Sequence, residues 1–258
     1  MAKKWAAFPY ADKAYVYDAA GLKKNWARLH RGDCEPMPKE AGALEAWRHF
    51  HAGAFGDAVE AGRKAGGAGI DAAVKAQMIY ANYVETSDKA KLALLEEAAG
   101  WADTRRGEAP KSANAHYYYA YALGRYSQGI SITKALAQGY GGKIKDALLT
   151  ALKLEAKHAD AHIAFGSYQA EIIDKVGGLV AGMTYGAKKE SALDHYQKAL
   201  KLNPDSAIAR IEYANGLIML FGKGRIADAE KLYKEAAAHK PADAMERLDV
   251  ELAKSELE

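Results

Sequence analysis

The chain is short of the residues that several kinds of protein depend on. A single cysteine, Cys34, in 258 residues rules out an internal disulfide and a cysteine-built metal site. Its neighbours Arg31, Asp33 and Glu35 are of mixed sign, so nothing points to an activated thiol. Proline is scarce, at six residues. With few β-branched runs and an alanine-laden hydrophobic half, this favours helix throughout. Charge of one sign is also lacking: the net charge is only +3. The dense basic stripe of a nucleic-acid binder is missing, so no nucleic-acid role is expected. No run approaches the roughly 20 apolar residues needed to span a bilayer. The opening Met1-Ala-Lys-Lys-Trp-Ala-Ala-Phe-Pro-Tyr10 has no apolar region of a secretory leader. These absences predict a soluble, unexported, cytoplasmic protein without a membrane span.

Three stretches nearly repeat one another: Asp146-Ala-Leu-Leu-Thr-Ala-Leu-Lys-Leu-Glu155, Leu193-Asp-His-Tyr-Gln-Lys-Ala-Leu-Lys-Leu-Asn-Pro204 and Asp228-Ala-Glu-Lys-Leu-Tyr-Lys-Glu-Ala-Ala-Ala-His-Lys-Pro241. Each sets a Leu or Tyr three residues before an Ala: Leu148/Ala151, Tyr196/Ala199 and Tyr233/Ala236. The small residue lets two helices approach closely, the larger one fills the groove beside it, and in two cases a Pro ends the helix. This is the second helix of a tetratricopeptide (TPR) hairpin. The fold class expected is therefore all-α, an α-α superhelix of tetratricopeptide-like helical hairpins with irregular insertions.

Along the chain, residues 1–40 form an aromatic-rich N-terminal cap, with Trp5, Phe8, Tyr10, Tyr15, Tyr17 and Trp26 crowded together and a helix from Ala19 to about Leu29. Rings at that density must be buried, either on the first hairpin or on another subunit. Residues 41–241 read as helical repeats. The pairs are Ala43–Ala52 with Asp57–Lys64, Ile70–Glu85 with a helix from Ser87 to about Ala102, and Asn114–Gln128 with Lys143–Leu154. Asp160–Val176 with Ala187–Leu202 and Ser206–Phe221 with Ile226–His239 follow. Thr104–Ser112 is polar and reads as a loop. Residues 242–258 form a C-terminal capping helix. Ala199 and Ala236 are 37 residues apart, close to the period of about 34. Ala151 and Ala199 are 48 apart, which places an insertion at 172–186; a second lies at 129–142. Both are Gly-rich yet apolar, and should fold against an extended first helix or face a partner.

The two insertions, in order, carry a family likeness. The run Gly129-Ile-Ser…Lys134…Gln138-Gly139…Lys143-Ile-Lys-Asp146…Ala151-Leu-Lys-Leu-Glu155 is followed by Asp160-Ala-His…Phe165-Gly166, Thr184-Tyr-Gly and Ala192-Leu-Asp-His-Tyr-Gln-Lys-Ala. With Leu248…Leu252…Glu256-Leu-Glu, this resembles the regulator of microtubule dynamics family over residues 115–258, in an Ala-rich, bacterial-looking form. The resemblance implies a non-catalytic helical repeat domain that works through protein contacts. Animal members associate with microtubules or mitochondria, some through a membrane anchor that is not seen in this sequence. A second resemblance is to the repeat proteins that accompany bacterial tripartite transporters.

Candidate binding residues follow from the first helices, whose exposed faces hold ligands in such arrays. Taking Leu123-Gly124, Phe165-Gly166, Gly216 and Ala81 as the signature positions, the projecting residues are Lys75, Asn82 and Glu85; Tyr118, Tyr121, Arg125 and Gln128; Asp160, Ile163 and Ser167; and Arg210 and Tyr213. Tyr and Arg dominate binding hot spots, and the two Arg forks suit a carboxylate. The competing reading packs the tyrosines between hairpins. His158-Ala-Asp-Ala-His162 has metal-like spacing, but Asp160 reads better as an N-cap and no third ligand is near. His49 and His51 face different ways on a helix and count as surface or packing residues. Gln138-Gly-Tyr-Gly-Gly-Lys143 fails as a phosphate loop, because Ala137 and Ile144 occupy its required Gly and hydroxyl positions. Acidic pairs such as Glu96-Glu97 read as solvated helix faces. No cofactor, metal or catalytic residue is expected. The functional expectation is a scaffold that binds a peptide or protein partner in a concave groove. The alternative is a small-ligand or transporter-accessory protein using the insertions as a cavity or a homo-oligomer interface.

Overall fold

The computed structural model describes residues 5–258, so the N-terminal Met1–Lys4 of the expected cap lie outside it. The helices are α1 (Ala19–Leu29), α2 (Ala41–His51), α3 (Phe55–Ala65), α4 (Ala68–Tyr83), α5 (Asp88–Glu108), α6 (Ala113–Gln128), α7 (Ile132–Ala137) and α8 (Tyr140–Leu154). They continue with α9 (Ala159–Val176), α10 (Gly178–Val180), α11 (Lys189–Leu202), α12 (Ala207–Phe221), α13 (Ile226–Ala237) and α14 (Ala244–Ser255). No strand occurs among the described residues. The fold is an all-α array of TPR-like hairpins.

The chain divides into two units. The first holds the described part of Met1–His30, Glu35–Leu154 and Ala242–Met245. The second holds Arg31–Cys34, Glu155–Pro241 and Glu246–Glu258. In the first unit the hairpins are α2/α3, α4/α5 and α6/α8, and the first helices α2, α4 and α6 neighbour one another in turn. In the second, α9/α11 and α12/α13 are the hairpins, and α9 packs on α12. Three helix starts, those of α5, α6 and α12, are marked chemically: Ser87, Ser112 and Ser206 accept backbone N–H bonds from Ala90, Ala115 and Ala209, satisfying donors that a helix start leaves open.

The packing logic of the second unit centres on Tyr196. Its ring, 0% exposed, lies between two helices that carry glycine where they meet it. A Cβ at Gly166 of α9 would lie 3.0 Å from the ring, and one at Gly216 of α12 only 2.5 Å. Tyr213 stacks on it with centroids 5.2 Å apart and planes at 16°. Its hydroxyl donates to Ser167 Oγ at 3.0 Å, and Ser167 donates to Glu212 Oε2 at 2.9 Å. One side chain of α11 thus fastens both first helices. The next hairpin repeats the plan: Tyr233 is buried, with its hydroxyl donating to Asn215. Val250 and Ala253 of α14 cover the same core.

Several boundaries depart from the sequence reading. α5 continues to Glu108, six residues past Ala102 and into the expected loop Thr104–Ser112, of which residues 109–112 remain outside the helices. Arg105 holds that last turn by a forked ion pair to the buried Asp71 of α4, with N···O distances of 3.0–3.2 Å. α3 and α4 start at Phe55 and Ala68, two residues before the expected Asp57 and Ile70, so Gly56 and Gly69 lie inside them. Asp160 is not the N-cap of α9. His158 is, accepting from the Ala161 N–H through Nδ1 at 3.1 Å. Of the surface and packing alternatives for His51, packing holds: it is 1% exposed, and its Nδ1–H donates to Asp243 at 2.7 Å.

The insertion at 172–186 is an extension of α9 with a turn. α9 ends at Gly177, with φ +78°, and α10 and a single π-turn (Ala181–Tyr185) fold back so that Ala181 joins Ile173, Tyr196 and Leu220. Leu179 and Met183 remain 78% and 81% exposed. The insertion at 129–142 supplies α7 and the start of α8; the side chains of residues 132, 133 and 136 lie outside the described set.

Tyr196→Ala should lower stability by about 3–5 kcal/mol, the cost of emptying an aromatic core site. Gly216→Ala should also destabilise, although alanine is the better helix former by about 1 kcal/mol. Urea denaturation of the two variants against wild type checks both, and a stabilised Gly216→Ala protein would contradict the packing described.

Candidate functional site

The residues expected to form a binding face fall in both units and are taken unit by unit. In the first, two of them belong to the core. Tyr118 is 1% exposed and Lys75 6%. The Lys75 ammonium sits 5.4 Å and 5.8 Å from the ring centroids of Phe50 and Trp47, a cation–π arrangement inside the hairpin stack. Both were assigned outward from a single signature position, and helix rotation within the bundle turns them inward. This corrects their placement on the face. Asn82 and Tyr121 are half-buried, and Arg125 is half-buried beside an exposed Gln128. The Arg125 guanidinium lies 5.4 Å from the Tyr121 ring centroid and donates to Gln128 Oε1 at 3.3 Å. Tyr121, Arg125 and Gln128 are thus held together along α6.

In the second unit Ser167 and Tyr213 belong to the Tyr196 assembly described above. Arg210 donates to Glu235 Oε2 at 3.3 Å and to the Ser206 carbonyl at 3.0 Å. Glu212 and Glu235 are the functional neighbours that the sequence reading missed. Glu212 adjoins Tyr213 in sequence, whereas Glu235 is 25 residues from Arg210, and only the packing of α12 on α9 and α13 shows which Ser or Arg they meet. Asp160 and Ile163 are buried and lie off any exposed face.

One open groove of about 610 Å³ lies in the first unit, lined by Tyr80, Glu85, Ala90, Ala93, Leu94, Glu96 and Glu97. Glu97 is more than a solvated face, since Gln77 donates to it at 2.9 Å and to the Leu94 carbonyl at 3.0 Å. Among the described residues no group of three His, Cys, Asp or Glu could hold a metal ion, and no helix is long and apolar enough to cross a membrane.

The remaining reactive side chains are held in quiet states. Cys34, in the left-handed region at φ 51°, points its thiol at the Lys157 carbonyl. Burial, with the Glu155, Asp33 and Asp160 carboxylates around it, pushes the thiol up to about 11. His162 and His195 meet Nδ1 to Nδ1 at 2.7 Å. The His162 Nε2–H donates to the Ala156 carbonyl at 3.2 Å, so its Nδ1 is left to accept from the His195 Nδ1–H. The accepting ring, His162, must be neutral for this bond. Burial lowers His162 below the usual imidazole value. Burial, then the neighbouring His162 and Lys198, carry His195 down to about 4 against the pull of Asp194.

A histidine depressed in the folded state binds its proton more readily when unfolded. The stability of the second unit should therefore hold above pH 6.5, fall as pH drops from 6.5 toward 4, and level off below that. His195→Gln should flatten this slope; denaturation midpoints across the range test it. Cys34 should alkylate with iodoacetamide at pH 8 roughly tenfold or more slower than an ordinary thiol, because so little thiolate is present. Mass spectrometric time courses give the rate.

Comparisons with known proteins agree with this architecture. A family model described as "Regulator of microtubule dynamics protein 1-3" matches residues 70–257. Among solved structures, a thermophilic TPR protein from Thermus thermophilus superposes with a TM-score of 0.57 at 17% identity, over 83% of this chain and 97% of that one. At that identity the likeness shows the fold alone. No curated protein matches. With the match running from α4 into the C-terminal helix, and so across both insertions, the chain belongs to the regulator of microtubule dynamics protein 1-3 family.

Proposed function

We propose that this protein is a non-catalytic scaffold that binds a protein or peptide partner along the exposed faces of its first helices. The TPR-like hairpin fold is commonly a protein-interaction scaffold. The observation that carries the finer reading is the Tyr121–Arg125–Gln128 assembly on α6 in the first unit. A guanidinium steadied by a ring and an amide loses little freedom when it takes a carboxylate, and such charge-assisted bonds contribute about 1.5–3 kcal/mol. Asn82 adds a donor from α4. In the second unit Ser167, Arg210 and Tyr213 form the corresponding face. There Arg210 meets Glu235.

A second reading, in which the insertion at 172–186 is an oligomer contact, draws on the exposure of Leu179 and Met183. It predicts that Leu179→Glu/Met183→Lys shifts the mass in solution, which light scattering measures.

The first reading is tested with a panel of fluorescent peptides bearing free or amidated C-termini. Binders with a free carboxylate should weaken tenfold or more with Arg125→Glu, and on amidation. Equal binding by wild type and Arg125→Glu would remove the carboxylate-receptor role.

A further inference from the structure

The N-terminal segment of the first unit lies in a slot that has the form of a peptide-binding site. Residues 5–11 are without helix or strand and pass over the α2–α3 corner. Two side chains three residues apart enter it. The Trp5 ring rests on Gly56, where a Cβ would come within 2.6 Å of it, and meets the Tyr80 ring edge-on at 4.6 Å. The Phe8 ring rests on Gly53, where a Cβ would come within 2.5 Å, and meets Phe55 edge-on at 6.0 Å. The Ala6 N–H donates to the Tyr80 hydroxyl at 2.9 Å.

The receiving surface is built without the segment. Gly53 has φ +82°, a conformation that glycine alone adopts cheaply, and it closes the turn between α2 and α3. Phe55 is held from the core side by the edge of the Phe50 ring at 5.9 Å, and with the segment in place Phe55 and Tyr80 are 3% exposed each. The segment joins the helices through a single 3-10 turn, Lys13–Tyr15, followed by an exposed Val16. An extended strand of chain that sets spaced anchors into preformed pockets is how peptides are recognised generally.

We infer that the Gly53–Phe55–Gly56–Tyr80 slot is a binding site for an extended segment of the form aromatic-x-x-aromatic flanked by basic residues, with the chain's own Trp5–Tyr10 as its resident occupant. The basic flank follows from the groove that shares Tyr80 with the slot, whose rim carries Glu85, Glu96 and Glu97. The chain's own sequence has this composition, Lys3-Lys4-Trp5-Ala-Ala-Phe8. A tethered occupant competes at an effective concentration on the order of millimolar, so an outside segment gains the slot when the tethered rings are removed or outcompeted. This site is separate from the α6 face proposed above, and neither depends on the other.

The test uses the full chain carrying Trp5→Ala/Phe8→Ala and a labelled peptide, Lys-Lys-Trp-Ala-Ala-Phe-Pro-Tyr, read by fluorescence anisotropy. The double variant should bind the peptide at one site, at least tenfold tighter than wild type does. Replacing both peptide rings by Ala should abolish binding, and replacing both lysines by Glu should weaken it severalfold. If the double variant loses its helical circular dichroism, Trp5→Ala alone makes the same comparison. The assignment fails if the folded variant does not bind, if wild type binds equally well, or if the ring-free peptide binds as tightly.

Discussion

The second unit depends on one contact, the Tyr196 ring held between Gly166 and Gly216. A TPR hairpin has little surface of its own to bury, so two successive first helices must share the side chain that the second helix offers. That sharing requires absence as much as presence: either glycine replaced by a larger residue would push a closed core apart. The hydroxyl then extends the contact into a polar chain through Ser167 to Glu212, so the same ring that supplies apolar area also sets the rotation of α9 against α12. The insertion at 172–186 joins this arrangement through Ala181. Lengthening α9 therefore did not disturb the repeat, and left Leu179 and Met183 outside.

The first unit uses a different device. Its core is laced with polar groups that find their partners across loops and helices. Asp71 meets Arg105, and the Trp26 indole N–H donates to the Glu35 carbonyl. His51 lies between Asp243 and His30, with its Nε2 3.3 Å from that of His30. Buried polar groups are tolerable only when paired, so each of these links fixes one stretch of chain relative to another. The aromatic N-terminal segment adds its rings to the same hairpins. Lys75, lodged near Trp47 and Phe50, shows the same principle applied to a charge.

The repeat was legible because its signal is local. Tyr196 with Ala199 and Tyr233 with Ala236 lie three residues apart on one helix face. The insertions were legible as departures from that period. The end of α5 was not, because a polar stretch looks like a loop unless the Arg105–Asp71 pair is known, and those residues are 34 apart. The cap at His158 was missed because Asp160 is the commoner capping residue. Lys75 and Tyr118 were placed on an open face by spacing alone, whereas their burial depends on how far each helix is rotated in the stack.

The sequence by itself determined the helices, their pairing into TPR-like hairpins and the family, since helix periodicity, capping and close-packing residues all act over a few positions. Only the tertiary structure decided which side chains are available. Whether a Tyr is a wedge, a platform or a binding surface depends on the neighbouring helix that covers it. Whether an Arg is a receptor or a strut depends on the carboxylate that packing brings within reach. The slot beneath Trp5 and Phe8 belongs to this second kind, because the packing of α2, α3 and α4 decides that Gly53 and Gly56 lie open beside Phe55 and Tyr80.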